Sequence, residues 1–460
     1  MKLRQFQAKN VHGYINIDVT FHDDLTFLTG INGSGKTTVI YSLVALITPS
    51  LQILANISFS EMKLTLEQDG RDIEISAVKD EKAITLKASD TQETFTFPLY
   101  ASDPDESYFR NAEREAEFYK SLMLTHSPNG VLSFISKLPT PMFLDLDRRS
   151  RNATERSLAR ERAHYRTMRR GRNIFSVSLI QSLMDATALA ESSYSELQIR
   201  LRRLGETSRR DLILSLLTLQ PAQQFGGPIV TPKSSDLRAL NEVKKASLRL
   251  PELLQIPEGE ISSRLQPFLD QLQRYAKDIP HNADPETLLR SAPQDQRTLN
   301  ALIGWSANRP QLDKISQMMA IVSSFSKESD QAASSINAYL NMVNRFLKDS
   351  GKELFFDDAG WLSFRVSHLP EPQPVSSLSS GEAQIFVILT HLAFNPAARE
   401  ANVFIVDEPE LSLHVQWQEL FVESVQSANP NVQYIMATHS PSIILDRTDR
   451  CKDLSRYVGV

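Results

Sequence analysis

The sequence predicts an α/β fold: a mainly parallel sheet with an antiparallel N-terminal meander, interrupted by a helical, coiled-coil-like insertion. Three observations predict it. A glycine loop, Gly30-Ile31-Asn32-Gly33-Ser34-Gly35-Lys36-Thr37, lies between an apolar strand pattern at Leu25–Thr29 and apolar residues at helical spacing, Val39, Ile40, Leu43, Val44 and Ile47. Buried-strand and helix patterns alternate again after residue 351, with Val403–Val406 and Val432–Ala437 as strands. Between these two stretches, roughly 200 residues read mostly as helix, a length typical of a domain.

The glycine loop carries the first chemistry. It fits G-x-x-x-x-G-K-[ST] in a strand–loop–helix context, which binds phosphates through backbone N–H groups and the positive end of the helix dipole. Asn32, Gly33, Ser34, Gly35, Lys36, Thr37 and Thr38 are the candidate phosphate-binding residues. Lys36 is expected to reach the β/γ-phosphates, and Thr37 to ligate Mg²⁺ through its hydroxyl.

The flanking elements follow in order. Leu3, Phe6 and Ala8 mark one strand, and Ile15, Ile17, Val19 and Phe21 a second, with a turn at His12-Gly13. Period-two alternation from 61 to 99, punctuated at Asp69-Gly70 and Lys79-Asp80, reads as about four antiparallel strands. Residues 108–137 read as helix broken at Pro128-Asn129-Gly130, and Pro141–Leu144 as a strand. The expected domains are 1–147 and 351–460, two parts of one lobe, and 148–350, the insertion. Prolines 221, 251, 280 and 310 and Gly226-Gly227-Pro228 are read as its breaks. Leucines 197, 201, 204, 212, 214, 216 and 217 read as helical core. Residues 332–348 read as a helix, and Glu353–Phe356 and Leu362–Val366 as strands around a turn.

Composition narrows the class. The chain has 460 residues, 41% hydrophobic and 23% charged, ordinary for a globular protein. Its net charge of −5 supplies no global attraction to nucleic acid or membrane. The single cysteine, Cys451, excludes an intramolecular disulfide and a cysteine-rich zinc site, and fits a reducing cytoplasm. No signal-peptide pattern opens the chain, and no apolar run has the length of a membrane span.

The second part supplies acids and a histidine. Val403–Val406 ends in Asp407 and Glu408, expected beside the phosphate-loop strand: Asp407 to hold Mg²⁺, Glu408 to polarise the attacking water. Tyr434–Ala437 ends in Thr438, His439 and Ser440, where His439 can contact a γ-phosphate or that water. Ser379, Ser380, Gly381 and Glu382 precede an apolar helix at 383–394. They read either as a capping box from Ser379 to Glu382, or as a second set of phosphate-binding N–H groups.

The order Asn-Gly-Ser-Gly-Lys-Thr, Leu-Ser-Ser-Gly-Glu, Asp-Glu-Pro-Glu-Leu-Ser-Leu-His, Thr-His-Ser-Pro resembles the ABC-type ATPases of the RecF/SMC-like and OLD-like group. The resemblance implies an ABC-type P-loop ATPase lobe that uses ATP and Mg²⁺. Gly33, Lys36 and Thr37 then bind ATP, Asp407 and Thr37 the metal, and Glu408 is the base. Ser379, Ser380, Gly381 and Glu382 act in trans on a partner's ATP, His439 takes the switch-histidine place, and Leu411–His414 that of the D-loop. It implies a head-to-tail homodimer or higher oligomer. No glutamine maps onto the family's glutamine loop. OLD proteins carry a TOPRIM nuclease after the ATPase. This chain runs 21 residues beyond His439, so a TOPRIM-less subunit is expected. Such subunits resemble the ATPases of PARIS, Septu and retron antiphage systems, PARIS best. There a sensor-scaffold holds a separately encoded effector, a TOPRIM nuclease, until a viral trigger protein appears.

Two alternatives remain: a DNA-maintenance ATPase that clamps DNA, and an assembly module that binds ATP without hydrolysing it. Ten arginines and two acids occupy 148–172. Arg156, Arg160, Arg162, Arg166, Arg169 and Arg170 read as a DNA or RNA phosphate track, as a docking face for an acidic partner, or as a solvated helix face. Asp145-Leu146-Asp147 reads more readily as solvated strand-end acids than as a metal pair.

Overall fold

The computed structural model describes residues 1–101, 108–144, 179–217, 229–254, 257–280, 296–396, 398 and 403–457. The six candidate arginines between 156 and 170, and Asp145-Leu146-Asp147, lie outside the described residues. The chain forms two compact units, one of residues 1–193 with 338–460, the other of 194–337.

The first unit opens with β1 (Lys2–Val11), β2 (Ile15–Thr20), β3 (Leu25–Thr29), α1 (Lys36–Ile47) and α2 (Leu51–Asn56). Next come β4 (Glu61–Gln68), β5 (Arg71–Lys79), β6 (Ala83–Ala88), β7 (Thr94–Pro98), α3 (Tyr108–Thr125), α4 (Gly130–Lys137) and β8 (Met142–Leu144). The helices α5 (Leu179–Leu217), α6 (Ser234–Ala246), α7 (Leu250–Leu254), α8 (Glu258–Asp278) and α9 (Gln296–Leu347) follow. The chain then returns through β9 (Lys352–Phe356), β10 (Leu362–Val366), β11 (Gln373–Pro374), α10 (Ser380–Phe394) and β12 (Val403–Asp407). It closes with α11 (Val415–Ala428), β13 (Gln433–Ala437), α12 (Pro441–Ile444) and β14 (Cys451–Asp453).

Antiparallel and parallel strands do not share one sheet. The N-terminal strands form a six-stranded antiparallel sheet in the order β2-β1-β4-β5-β6-β7. Burial alternates along them, Ile15, Ile17 and Val19 inward in β2, which fixes the register. Asp69-Gly70, both at positive φ (53° and 76°), make the two-residue hairpin between β4 and β5. The parallel sheet runs β14-β3-β13-β12-β8. Its central strands are buried on both faces, as βαβ layering requires.

Strand periodicity then divides the parallel-sheet residues between two cores. Leu28, Val403, Ile405, Ile435 and Ala437 face the core they share with α1 and the antiparallel sheet. Leu25, Phe27, Phe404, Val406, Tyr434 and Met436 face the core containing α10 and α11. Only a continuous apolar run serves both faces, so these strands show no alternation in sequence.

The second unit packs around Trp305, Leu302, Leu269, Leu272 and Val322, all fully or nearly fully buried. Pro310 does not break the helix, contrary to its reading as a punctuation point. It lies inside α9, a 52-residue helix. Leu302 and Trp305 before it and Leu312 and Met319 after it are buried on the packed face, and that burial outweighs the hydrogen bond proline forfeits. Of the leucines read as core in α5, Leu197 and Leu212 are buried, whereas Leu214 is half exposed.

One polar side chain ties the parallel sheet to the six-stranded antiparallel sheet. Buried Gln433 accepts from Leu3 N–H (2.7 Å) and donates to the carbonyls of Leu3 and His22 (both 2.8 Å). Removing it leaves an N–H and two carbonyls to be satisfied by water at a packed seam. Gln433→Ala is expected to destabilise the protein by about 3 kcal/mol in urea unfolding. A loss under ~1 kcal/mol would show that the seam holds without it.

Candidate nucleotide site

The strand ends of the parallel sheet assemble the site. Ala437 stands opposite Leu28 of β3 on one side and opposite Asp407 of β12 on the other. The ladder ends with Thr438 N–H donating to Leu28 C=O (3.1 Å) and Glu408 N–H donating to Ala437 C=O (2.9 Å). The phosphate loop, the histidine tip and the acidic pair therefore leave the sheet at one level. The expectation that Asp407 stands on the strand beside β3 is corrected: β13 lies between them. All five β13 residues are buried, and a strand of that kind takes an interior place flanked on both edges.

The loop is shaped by its glycines. At Gly30 (φ 139°) a Cβ would meet Ser34 Oγ at 2.7 Å and Ser455 Oγ at 3.0 Å, so nothing larger fits. Gly33 and Gly35 are left-handed (φ 85° and 90°), with nothing within 4 Å of a Cβ placed at Gly33. Gly35 caps α1. Ser455, which sequence reasoning missed, accepts a hydrogen bond from Ile31 N–H (3.0 Å). His12, also missed, reaches the Thr38 hydroxyl from the β1–β2 turn (Nε2 to Oγ1, 3.1 Å).

Lys36 is only 5% exposed. Its ammonium donates to the carbonyls of Gly30 (3.1 Å) and Ile31 (3.3 Å). Burial lowers its pKa, and the nearby carboxylates of Glu408, Asp407 and Glu410 partly oppose that. The lysine from one end of the chain and the acids from the other thus share one electrostatic environment. Glu408 adopts a left-handed backbone (φ 47°, ψ 55°), which costs about 1 kcal/mol and turns the chain sharply off β12 into a 3₁₀ turn, Pro409–Ser412. The helix α11 starts beyond that turn, at Val415. His439 is exposed and Thr438 is buried.

These residues suit a triphosphate and its cation. The loop is open above Gly33, and the buried Ser34 hydroxyl has no partner among the described residues. Asn32, Thr37 and Thr38 border the start of α1, and Thr37 with Asp407 offers the oxygen ligands Mg²⁺ prefers. Among the described residues no three His, Cys, Asp or Glu side chains group to hold a metal. Mg²⁺ held by one or two carboxylates and phosphate oxygens needs no such group.

The segment Ser379–Glu382 is first of all a helix start. Ser379 Oγ accepts from Glu382 N–H (3.4 Å), and Glu382 accepts from Ser379 N–H (2.7 Å), a complete capping box. Ser379 and Ser380 are exposed, whereas Gly381 and Glu382 are buried. The Glu382 carboxylate also binds Lys352 Nζ (2.7 Å) and Ser350 Oγ (2.8 Å). Burial alone would raise its pKa, yet the bonds from Lys352, Ser379 and Ser350 prevail and hold it below the usual range. Of the four residues, only the two serines present side chains outward.

Fold and loop together define a P-loop ATPase domain. A family model described as "AAA domain" matches residues 5–317, more than half of the chain, which therefore belongs to that family. A second model, "AAA domain, putative AbiEii toxin, Type IV TA system", matches residues 232–446. The "Retron Vc95 probable ATPase" of Vibrio cholerae serotype O1 biovar El Tor is 29% identical over 79 residues, 15% of this chain and 15% of that relative's length. An Smc head domain with an extended coiled coil, from Pyrococcus furiosus and bound to the C-terminal domain of ScpA, aligns over 96% of this chain and 91% of its own, at 10% identity and a TM-score of 0.34. An Smc head domain with a coiled coil and joint, from Pyrococcus yayanosii, gives 13% identity and a TM-score of 0.32 over 96% and 93%.

Glu382→Ala removes the partner of Lys352, itself 19% exposed, and the carboxylate half of the α10 capping box, while Ser379 keeps its bond to the backbone N–H of residue 382. A loss of roughly 3 kcal/mol is expected, toward the low end for a broken buried pair because Lys352 retains some water. The pair stabilises above the unfolded carboxylate pKa, and the gain is lost as pH falls through the lowered folded value. The gap in unfolding midpoint between wild type and variant should therefore begin to close as pH falls below the unfolded carboxylate value of about 4.3. A constant gap across pH would refute the ion-pair account.

Proposed function

We propose that this chain is an ATP-binding and ATP-hydrolysing sensor and scaffold of a prokaryotic antiphage defence complex, and that it controls a separately encoded effector. The observation that carries the ATPase part is the convergence of Lys36 with Asp407, Glu408 and Glu410 at the aligned ends of β3, β13 and β12. A buried cation at a helix start, opposite carboxylates, is the electrostatic arrangement for a bound, cleavable triphosphate. Lys36 exchanges its carbonyl partners for phosphate oxygens, Thr37 and Asp407 hold Mg²⁺, and Glu408 takes the proton of the attacking water. His439 faces the same event from β13. The Mg²⁺ ion supplies charge neutralisation at the phosphates when bound.

A homodimer reading is supported by exposure at the site. Ser379 and Ser380 are uncovered at the start of α10, and the apolar Ile31, Leu411 and Val415 are about half to two-thirds exposed. A second copy, head to tail, supplies its serines to the nucleotide held here, so that ATP joins the two copies and hydrolysis releases them. Gly381 and Glu382 would then shape the partner's helix start rather than touch the nucleotide. The defence assignment is supported by the names of the relatives, a retron ATPase and a toxin–antitoxin AAA domain. The effector, a nuclease in this reading, the trigger and a cytoplasmic setting belong to the same proposal. No helix among the described residues is long and apolar enough to cross a membrane.

Lys36→Ala is expected to abolish ATP binding in equilibrium titration; wild-type affinity would refute the phosphate-loop assignment. Glu408→Gln should slow phosphate release by at least about 100-fold and accumulate an ATP-bound dimer in size exclusion. Release at the wild-type rate would favour an assembly module that does not depend on hydrolysis. Co-expression with the neighbouring genes should recover an effector at fixed stoichiometry. DNA-stimulated turnover with a steep salt dependence, and no such effector, would instead favour a DNA clamp.

A further inference from the structure

The turn after the acidic pair holds a third carboxylate, and its contacts differ from those of Asp407 and Glu408. Glu410 Oε1 accepts two hydrogen bonds from the tip of β13, from Thr438 Oγ1 (2.8 Å) and from His439 N–H (2.7 Å). Its Oε2 is buried and has no hydrogen-bond partner among the described residues. The carboxylate also acts on Lys36. Around it the bonds close into a ring. Thr438 Oγ1 accepts from Ser440 N–H (3.0 Å), and Ser440 Oγ donates to Gln418 Oε1 (2.5 Å). Gln418 Nε2 donates to the carbonyls of Leu413 (2.9 Å) and Glu410 (3.4 Å). Three segments from separate elements are bound together: the 3₁₀ turn, the histidine tip and the first turns of α11.

We propose that Glu410 is the positioning residue for His439, fixing the histidine backbone at the phosphate end of the sheet so that the exposed imidazole stands at the reacting phosphate. The inference rests on the hydrolytic reading given above and adds to it how the histidine is held. A carboxylate is suited to this work. It is an acceptor that takes two donors on one oxygen, and bonds to an ionised acceptor are about twice as strong as neutral ones. The positive φ of Glu408 contributes as well, because the sharp turn brings Glu410 back beneath the β13 tip. Errors of about 1 Å in such a group reduce turnover on the order of 100-fold without weakening ground-state binding.

The test is steady-state ATP turnover by the full chain with Mg²⁺. Glu410→Ala should lower kcat by roughly 10- to 100-fold and leave KM for ATP within about threefold. Glu410→Gln keeps an acceptor oxygen and should restore most of the rate. Adding Glu410→Ala to His439→Ala should cause no further loss, because a residue that acts through the histidine has nothing left to position. Thr438→Val removes one of the two donors to Glu410, together with the acceptor of Ser440 N–H, and leaves the His439 N–H bond; it should give a smaller kcat defect than Glu410→Ala and serves as the second variant should the alanine variant fold poorly. Wild-type kcat in Glu410→Ala, fully additive losses in the double variant, or a Gln variant as slow as Ala would each overturn the proposal. The controls separate the two readings. If wild type hydrolyses ATP and Glu408→Gln does not, yet Glu410→Ala turns over normally, the positioning role fails and the ATPase assignment stands. If wild type releases no phosphate, both fall.

Discussion

Two backbone hydrogen bonds set the geometry on which the site depends, Thr438 N–H to Leu28 C=O and Glu408 N–H to Ala437 C=O. They end the parallel ladder at the same height on three strands. The residues that follow, Gly30 after β3, His439 after β13 and Glu408 after β12, must then diverge from one edge of the sheet. Parallel pairing makes this possible, since all three strands present their C-terminal ends together. A one-residue slip in either pairing would move the acidic pair relative to Lys36 and would also invert which side chains meet which core. Site geometry and core packing are thus fixed by the same register.

The packing explains why the register holds. Phe27, Phe404 and Tyr434 enter one core, while Leu28, Ile405 and Ile435 enter the other. Each buried side chain of this size contributes about 1.5–3 kcal/mol, so a slipped strand would lose that burial on two faces at once. Gln433 adds directional bonds at the start of β13, where it binds the backbone of β1 and of the segment before β3. A chain whose lobe is built from two distant pieces needs such links, because closing the intervening loop carries an entropic cost that contacts between the pieces must offset.

Much of this was legible in the sequence because it lies in local patterns. The glycine loop announces itself by spacing, the meander by alternation and Asp69-Gly70, and the capping box by Ser379 and Glu382 three residues apart. What was not legible depends on non-local placement. Nothing in Val403–Asp407 indicates that β13 separates it from β3, since two strands with the same apolar run are interchangeable by pattern. Nor does the run around Pro310 reveal that packing of Trp305 and Leu312 carries a helix through the proline. Glu410, Gln418, Gln433 and Ser455 escaped because each acts on a partner far along the chain, and a polar residue looks the same in sequence whether solvated or bonded in a core. The one trace was Glu410 itself, a third acid immediately after Asp407-Glu408-Pro409.

The exposed serines at the start of α10 and the root of α9 are tied by a single carboxylate. Glu382 caps α10 through Ser379, and it binds Ser350 in the turn that follows α9 and Lys352 at the start of β9. It is 3% exposed, so each of these donors offsets part of a desolvation cost that water does not meet. Displacing the end of α9 while α10 stays in place would strip the carboxylate of two donors, and moving α10 alone would break the cap as well. Concerted movement keeps every bond. Glu382 therefore ties the start of α10 to the turn after α9 and to the first residue of β9 through one buried carboxylate.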